Sequence, residues 1–344
     1  MGQRAAMAAL LVDREFARHL ELEVRYGRSG RERCLEDACY HLSYLAEAVA
    51  TGNPGLFADY LGWAKVMLAQ RRIPAGDLVA HLQSMREVLG EILPAELSPP
   101  ALEALDHGLK RFPDFPEELP SLIEPGQPHS LLAHQYLQAL LCGERHVGSR
   151  LVLDAVERGV GVREIYLYVF QRTQYEIGRL WQTNTINVAQ EHYCTAATQL
   201  IMSQLYPHIF SGTRSGGMFV GTCVQGDLHE IGMRMVADFF EMSGWNTCFL
   251  GANTPTPGVV QMVVDRTADV LGISATIAYH VRAVEDLVGK VRAEPACAGV
   301  KILVGGYPFN RSPDLWRTVG ADGSACDAGA VVDLAEQLTA GGGP

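Results

Sequence analysis

From Gly217 onward the sequence alternates short apolar runs with helix-period segments, and that alternation leaves few folds open. The runs Met218–Val224, Thr247–Gly251, Val270–Ser274 and Lys301–Val304, with a short one near Ala321, read as strands. Helical segments fall between them, including Thr256–Arg266, Val281–Ala293 and Ala328–Ala340. This pattern predicts a parallel sheet covered on both faces, a doubly wound α/β domain. Ligands of such domains bind at the turns beyond the carboxyl ends of the strands. The first of these turns is Gly226-Asp-Leu-His-Glu-Ile-Gly232. It opens a helix whose Ile231, Met235, Phe239 and Met242 share one face. His229 can point outward there, with Asp227 close enough to accept its other ring proton. Such a bond sets the tautomer and makes the exposed nitrogen a better metal ligand. Taken alone, the turn is better read as a helix-capping aspartate beside a surface histidine.

Two later elements change that balance. Ser274 closes Leu-Gly-Ile-Ser-Ala-Thr, with Thr276 two residues on, and Gly305-Gly306 follow the strand Lys301–Val304. Asp227-x-His229-x-x-Gly232, Ser274-x-Thr276 and Gly305-Gly306 together resemble the cobalamin-binding signature of methionine synthase, corrinoid carrier proteins and cobalamin photoreceptors. The resemblance covers about the last 130 residues, an ordinary single-domain length. It implies a flavodoxin-like domain in which His229 replaces dimethylbenzimidazole as the lower cobalt ligand. It also implies that the displaced nucleotide tail passes Ser274 and the Gly305-Gly306 backbone. The chemistry agrees, because glycine permits close backbone approach and imidazole suits cobalt. Thr276 stands where the family has leucine. Methionine synthases carry a further serine beyond the first; His280 occupies that place here, so the family's aspartate–histidine–serine relay is in doubt.

A chain of 344 residues has room for two or three domains. Residues 1–125 read as an all-α domain, with helices at Ala5–Tyr26, Arg31–Thr51, Pro54–Gln70, Ala75–Leu93 and Pro100–Phe112. Prolines between 113 and 128 mark a linker, with the boundary near residue 125. Residues 126–212 read as a four-helix bundle: Pro128–Cys142, His146–Arg158, Val162–Gln182 and Val188–Phe210. Ser211–Gly217 reads as a flexible linker into the flavodoxin-like domain, residues 217–344. The net charge of −11 argues against nucleic-acid binding through overall charge. Eight scattered cysteines without a Cys-x-x-Cys suit reduced thiols. No apolar stretch is long enough to span a membrane, and a cytoplasmic location is expected.

A second constellation lies in the bundle. Trp181 closes one helix and Glu191-His192 open the next. With their flanks, Tyr-Glu-Ile-Gly-Arg-Leu-Trp and Ile-Asn-Val-Ala-Gln-Glu-His, they resemble the upper-face motif of CarH-type adenosylcobalamin photoreceptors. There the bundle caps the upper face of the corrin. An indole offers a flat apolar face, and a carboxylate with an imidazole can hydrogen-bond a ribose and an adenine edge. The histidine that follows the tryptophan in that family is Gln182 here, so its bis-histidine photoproduct is not expected. A tryptophan packed in a core and early-helix polar residues are the plainer reading of each residue singly.

These resemblances imply an adenosylcobalamin-dependent light sensor, not an enzyme. Loss of the adenosyl group would shift the cap and so alter oligomeric state or contact with a protein partner. Tyr26, Tyr40, His41, Tyr44, Tyr60, Trp63 and His81 could line a pocket for a second chromophore, a bilin such as biliverdin, as in photocobilins, although half-buried core is the better reading of each one singly. The alternative is a corrinoid methyl-carrier serving a methyltransferase.

Overall fold

The computed structural model describes residues 3–210 and 216–340. The chain divides into two compact units, Met1–Glu118 and Leu119–Pro344.

The first unit is all helical: α1 (Gln3–Arg18), α2 (Leu20–Ala50), α3 (Pro54–Ala69), α4 (Ala75–Ile92) and α5 (Ser98–Arg111). The first helix stops eight residues before the expected Tyr26, and α2 runs across the expected gap with a bend at Gly27, whose φ of 61° is left-handed. Asn53 caps α3 by accepting a hydrogen bond from the Gly55 N–H (3.1 Å), with Pro54 in the first turn. Leu11, Leu61, Leu82, Met85 and Leu105 fill the interior. The aromatic and histidine set that could line a pocket packs largely against itself, as the half-buried-core reading has it. Tyr60 is hydrogen-bonded to His41 (2.7 Å) and stacks on Tyr44 at 3.7 Å between ring centres. His81 lies 5.2 Å from His41, ring to ring, and its Nδ1 meets Glu15.

The second unit opens with an extended strap, then helices α6 (Ser130–Leu141), α7 (Arg145–Glu157) and α8 (Val162–Glu164). A π-helical turn, Ile165–Phe170, joins α8 to α9 (Gln171–Gln182); α10 (Val188–Gln204) and the short α11 (Tyr206–Ile209) follow. The expected helix Val188–Phe210 is thus broken at Leu205, just before Pro207. The strap is docked: Leu122 N–H donates to Glu176 (2.8 Å), Arg179 donates to the Leu119 carbonyl (3.1 Å), and Ile123 is buried. Residues 211–215 of the expected linker lie outside the described residues.

The α/β part runs β1 (Met218–Cys223), α12 (Ile231–Met242), β2 (Asn246–Phe249), α13 (Thr256–Asp265), β3 (Val270–Ser274), α14 (Val281–Ala293), β4 (Lys301–Gly305), α15 (Tyr307–Arg311), α16 (Leu315–Thr318), β5 (Gly323–Ser324) and α17 (Ala328–Ala340). The five strands are parallel in the order β2-β1-β3-β4-β5, the flavodoxin-like arrangement. Cys223 pairs with Ser274, and Ser274 with Gly305, so three strand ends form one row. One continuous core joins the helices before β1 to the sheet: Tyr136, Tyr166, Phe170 and Ile201 cluster with Phe219, Met233, Phe239 and Phe240. Among the described residues no helix is long and apolar enough to cross a membrane.

Candidate functional site

The row Cys223–Ser274–Gly305 sets the position of the candidate site, because the three signature elements leave the sheet from it. The turn after β1 carries Asp227 and His229. Asp227 is fully buried, and its Oδ1 accepts hydrogen bonds from the His229 backbone N–H (3.0 Å) and from His229 Nδ1 (2.8 Å). Its Oδ2 accepts the backbone N–H of Thr276, from the loop after β3. Burial alone would raise the Asp227 carboxyl. The bonds from His229 and Thr276, with the His280 imidazole nearby, outweigh it and hold the group far below the ordinary carboxylate range. Asp227 is therefore a fixed anion. It raises the His229 imidazole above its ordinary value, through the hydrogen bond first and its charge second, while the charge of Glu191 adds to the effect.

His229 has a 57% exposed side chain and uses Nδ1 on Asp227, which leaves Nε2 as the ring nitrogen able to bind a metal. Among the described residues no group of three or more His, Cys, Asp or Glu side chains is disposed to hold a metal ion. The donor set thus fits a centre that takes one protein ligand and brings the rest of its coordination with it. Gly305 and Gly232 face open space where a Cβ would stand. Gly306 differs: its φ is 105°, and a Cβ would overlap the Ala275 carbonyl oxygen, so only glycine fits the turn there. Ser274 is buried at the end of β3.

His280 stands on the far side of the same carboxylate. It is buried, with Nδ1 3.7 Å from Asp227 Oδ2 and no hydrogen-bond partner for that nitrogen. The backbone at Gly226 (φ 93°) passes directly over its ring, where a Cβ would come within 3.1 Å of Nε2. An imidazole thus occupies the place at which the relay was in doubt. Asn253, in the loop before α13, bonds to the turn after β1. In a left-handed conformation (φ 51°), it accepts from the Gly226 N–H (2.8 Å) and donates its own N–H to the Asp227 carbonyl (2.9 Å). It therefore clamps the His229 loop from the β2 side.

The expected upper-face residues lie on α9 and α10. An Asn187–Gln190 capping box starts α10, with the two side chains bonded reciprocally to backbone N–H groups (3.0 and 3.1 Å). Glu191 and His192 fall in its first turn. Glu191 is half-buried, accepts from Thr195 Oγ1 (3.1 Å), and acts electrostatically on His229. His192 is 71% exposed, its Nδ1 3.7 Å from Glu191. Trp181 packs on the shared core at the end of α9, and Gln182 is buried. The structure thus brings Asp227, His229, Thr276 and His280 together at one carboxylate, whereas Glu191 bonds within α10 and His192 points largely to solvent.

Comparison with known proteins bears on the same regions. Residues 217–333 match the model of a B12 binding domain, and residues 132–206 match a second B12 binding domain model. A corrinoid protein of Desulfitobacterium hafniense is 24% identical over 213 residues, 60% of this chain and 97% of that protein. The dimethylamine corrinoid protein of Methanosarcina barkeri is 26% identical over 190 residues, 54% of this chain and 83% of that protein. The fold matches the solved structure of the Methanosarcina barkeri monomethylamine corrinoid protein with a TM-score of 0.55 at 21% identity, over 61% of this chain and 99% of that one. The chain is a cobalamin-binding protein. The light-sensor expectation is overturned by these relatives, which are corrinoid proteins named, in two cases, for methylated amines. The physical source of the error is local: a tryptophan at a helix end and Glu-His after a capping box are placed by helix packing and capping, whatever the upper face holds.

Proposed function

We propose that this cobalamin-binding protein is a corrinoid methyl-carrier, a carrier and not an enzyme, that shuttles a methyl group for a partner methyltransferase. The observation that supports it most is the likeness spanning nearly the whole of the Desulfitobacterium corrinoid protein and most of the dimethylamine corrinoid protein. The donor is proposed to be a methylated amine.

Bound cobalamin would supply a cobalt centre to which a methyl group attaches reversibly. His229 would hold the lower face through Nε2, and Asp227 would keep that imidazole oriented and basic. Gly232, Ser274, Gly305 and Gly306 would leave room for the nucleotide tail along the row of strand ends, with Thr276 securing Asp227 through its backbone. Residues 126–212 would form a four-helix cap whose Trp181, Glu191 and His192 bound the upper face, with residues 217–344 as the cobalamin domain and residues 1–125 a separate helical domain. Self-association remains part of the proposal beside the methyltransferase partner.

The test reconstitutes the protein with cobalamin, reduces it anaerobically, and adds a methylamine-type methyltransferase with its amine. Appearance of the methylcobalamin absorption spectrum is expected, and His229→Ala should weaken cobalamin binding and lose the histidine-ligated spectrum. Absence of methylation, together with preferential retention of adenosylcobalamin over methylcobalamin, would overturn the carrier reading.

A further inference from the structure

Glu230, next to His229 in the chain, begins α12, yet its side chain makes no capping bond to that helix. It reaches outward in two directions. Oε1 accepts a hydrogen bond from Gln199 Nε2 of α10 (2.6 Å), and Oε2 accepts the backbone N–H of Ala252 in the loop after β2 (2.9 Å). One turn further along α12, Arg234 donates to Ser203 Oγ (2.8 Å) and to the Tyr206 hydroxyl (3.0 Å). Glu191, Thr195, Gln199 and Ser203 are spaced four apart, so one stripe of α10 runs from the residue whose charge reaches His229 down to this pair of attachments. Bonds to an ionised group are the stronger kind, and a carboxylate with both oxygens occupied has a fixed geometry.

We infer that Glu230 is a positioning residue that ties the loop bearing His229 to helix α10, so that the lower and upper faces of the cobalamin cleft are set together. The backbone from His229 to Glu230 is one peptide unit long. A shift of the ligand loop therefore moves the carboxylate that holds Gln199, and a shift of α10 pulls on the ligand loop. Coupling of this kind is reciprocal: cobalamin that orders the His229 loop must also tighten α10. The inference rests on cobalamin occupying the cleft and is independent of the methyl-carrier reading.

Hydrogen exchange of α10 amides, with and without bound cobalamin, tests this in four proteins: the parent, Gln199→Ala, Glu230→Ala, and the exchanged pair Gln199→Glu with Glu230→Gln. In the exchanged pair the new amide can still accept from Ala252 and donate to the new carboxylate. Cobalamin is expected to slow α10 exchange in the parent by roughly tenfold, the scale of one charge-assisted bond. That slowing should disappear in both single variants while Gln199→Ala keeps the histidine-ligated spectrum, and it should return in the exchanged pair. If α10 gains the same protection in the single variants as in the parent, or if the folded exchanged pair fails to regain it, Glu230 is not the coupling residue.

Discussion

Asp227 is the residue on which the site depends, because one buried carboxylate accepts three hydrogen bonds with two oxygens. Asp227→Asn keeps the shape but replaces an acceptor with a donor and removes the charge. Cobalamin affinity is expected to fall by about 10–100-fold, the usual effect of losing the partner that orients a metal-binding histidine. A titration followed by absorbance checks this; unchanged affinity would mean the carboxylate does not orient His229. A second buried acid behaves differently. Burial pushes the Asp238 carboxyl up to about 6 from 3.8, against the pull of the Tyr166 hydroxyl (2.8 Å) and Arg234. Its folded value lies above its unfolded value, so the folded state holds the proton more tightly, and ionisation costs stability fully above about pH 6. Asp238→Asn, which retains an acceptor for Tyr166, should stabilise the protein at pH 7–8 by about 2–3 kcal/mol. The gain should fade as the pH falls from about 6 to about 4, below which the parent carboxyl is protonated in both states. Denaturant melts of both proteins at pH 4 and pH 8 measure it. At this scale the sequence pointed to Asp227 and His229, which bond to each other two residues apart, and to the glycines, which their place after a strand marks. It did not expose Glu230 with Gln199, or Thr276 as a backbone donor to Asp227, because those bonds join segments that only the folded sheet brings together.

Elements were legible in proportion to how strongly their own residues specify them. The strands and α12 to α14 followed from apolar runs and helical spacing, and the parallel order followed from their alternation. Where a boundary depended on packing, it moved: α1 stops at Arg18, and α2 crosses Gly27 by bending. The π-helical turn Ile165–Phe170 has no marker in the sequence, since its extra residue is accommodated by burying Ile165, Tyr166, Val169 and Phe170. The turn after β4 is the element most sensitive to a single atom. Gly306→Ala must place a side chain in a left-handed conformation against the Ala275 carbonyl. A loss of about 1–3 kcal/mol is expected, together with faster cobalamin loss, read by thermal melting and by dissociation after dilution. An unaltered melting temperature would show that the turn can relax.

At the scale of the whole molecule, the prolines near residue 125 marked an end to helix but concealed what the chain does there. Prolines stop a helix whether the segment then floats or docks. Here it docks: Leu119 and Leu122 bond to α9 side chains and Ile123 is buried, so the compact unit begins at Leu119. A chain cut to residues 119–344 should accordingly melt several degrees above one cut to 126–344, which loses about 2–4 kcal/mol of burial and of bonds to Glu176 and Arg179. Equal melting temperatures would mean that the strap contributes nothing.

The core shared by Tyr166, Phe170 and Ile201 with Phe219, Phe239 and Phe240 restricts how the helices before β1 could move off the sheet. Lifting the helices away as a rigid body would strip apolar surface from both sides at once, at a cost of about 25 cal/mol for each Å² uncovered. A movement of α10 that kept this aromatic centre closed would, through Gln199 and Glu230, carry the ligand loop with it.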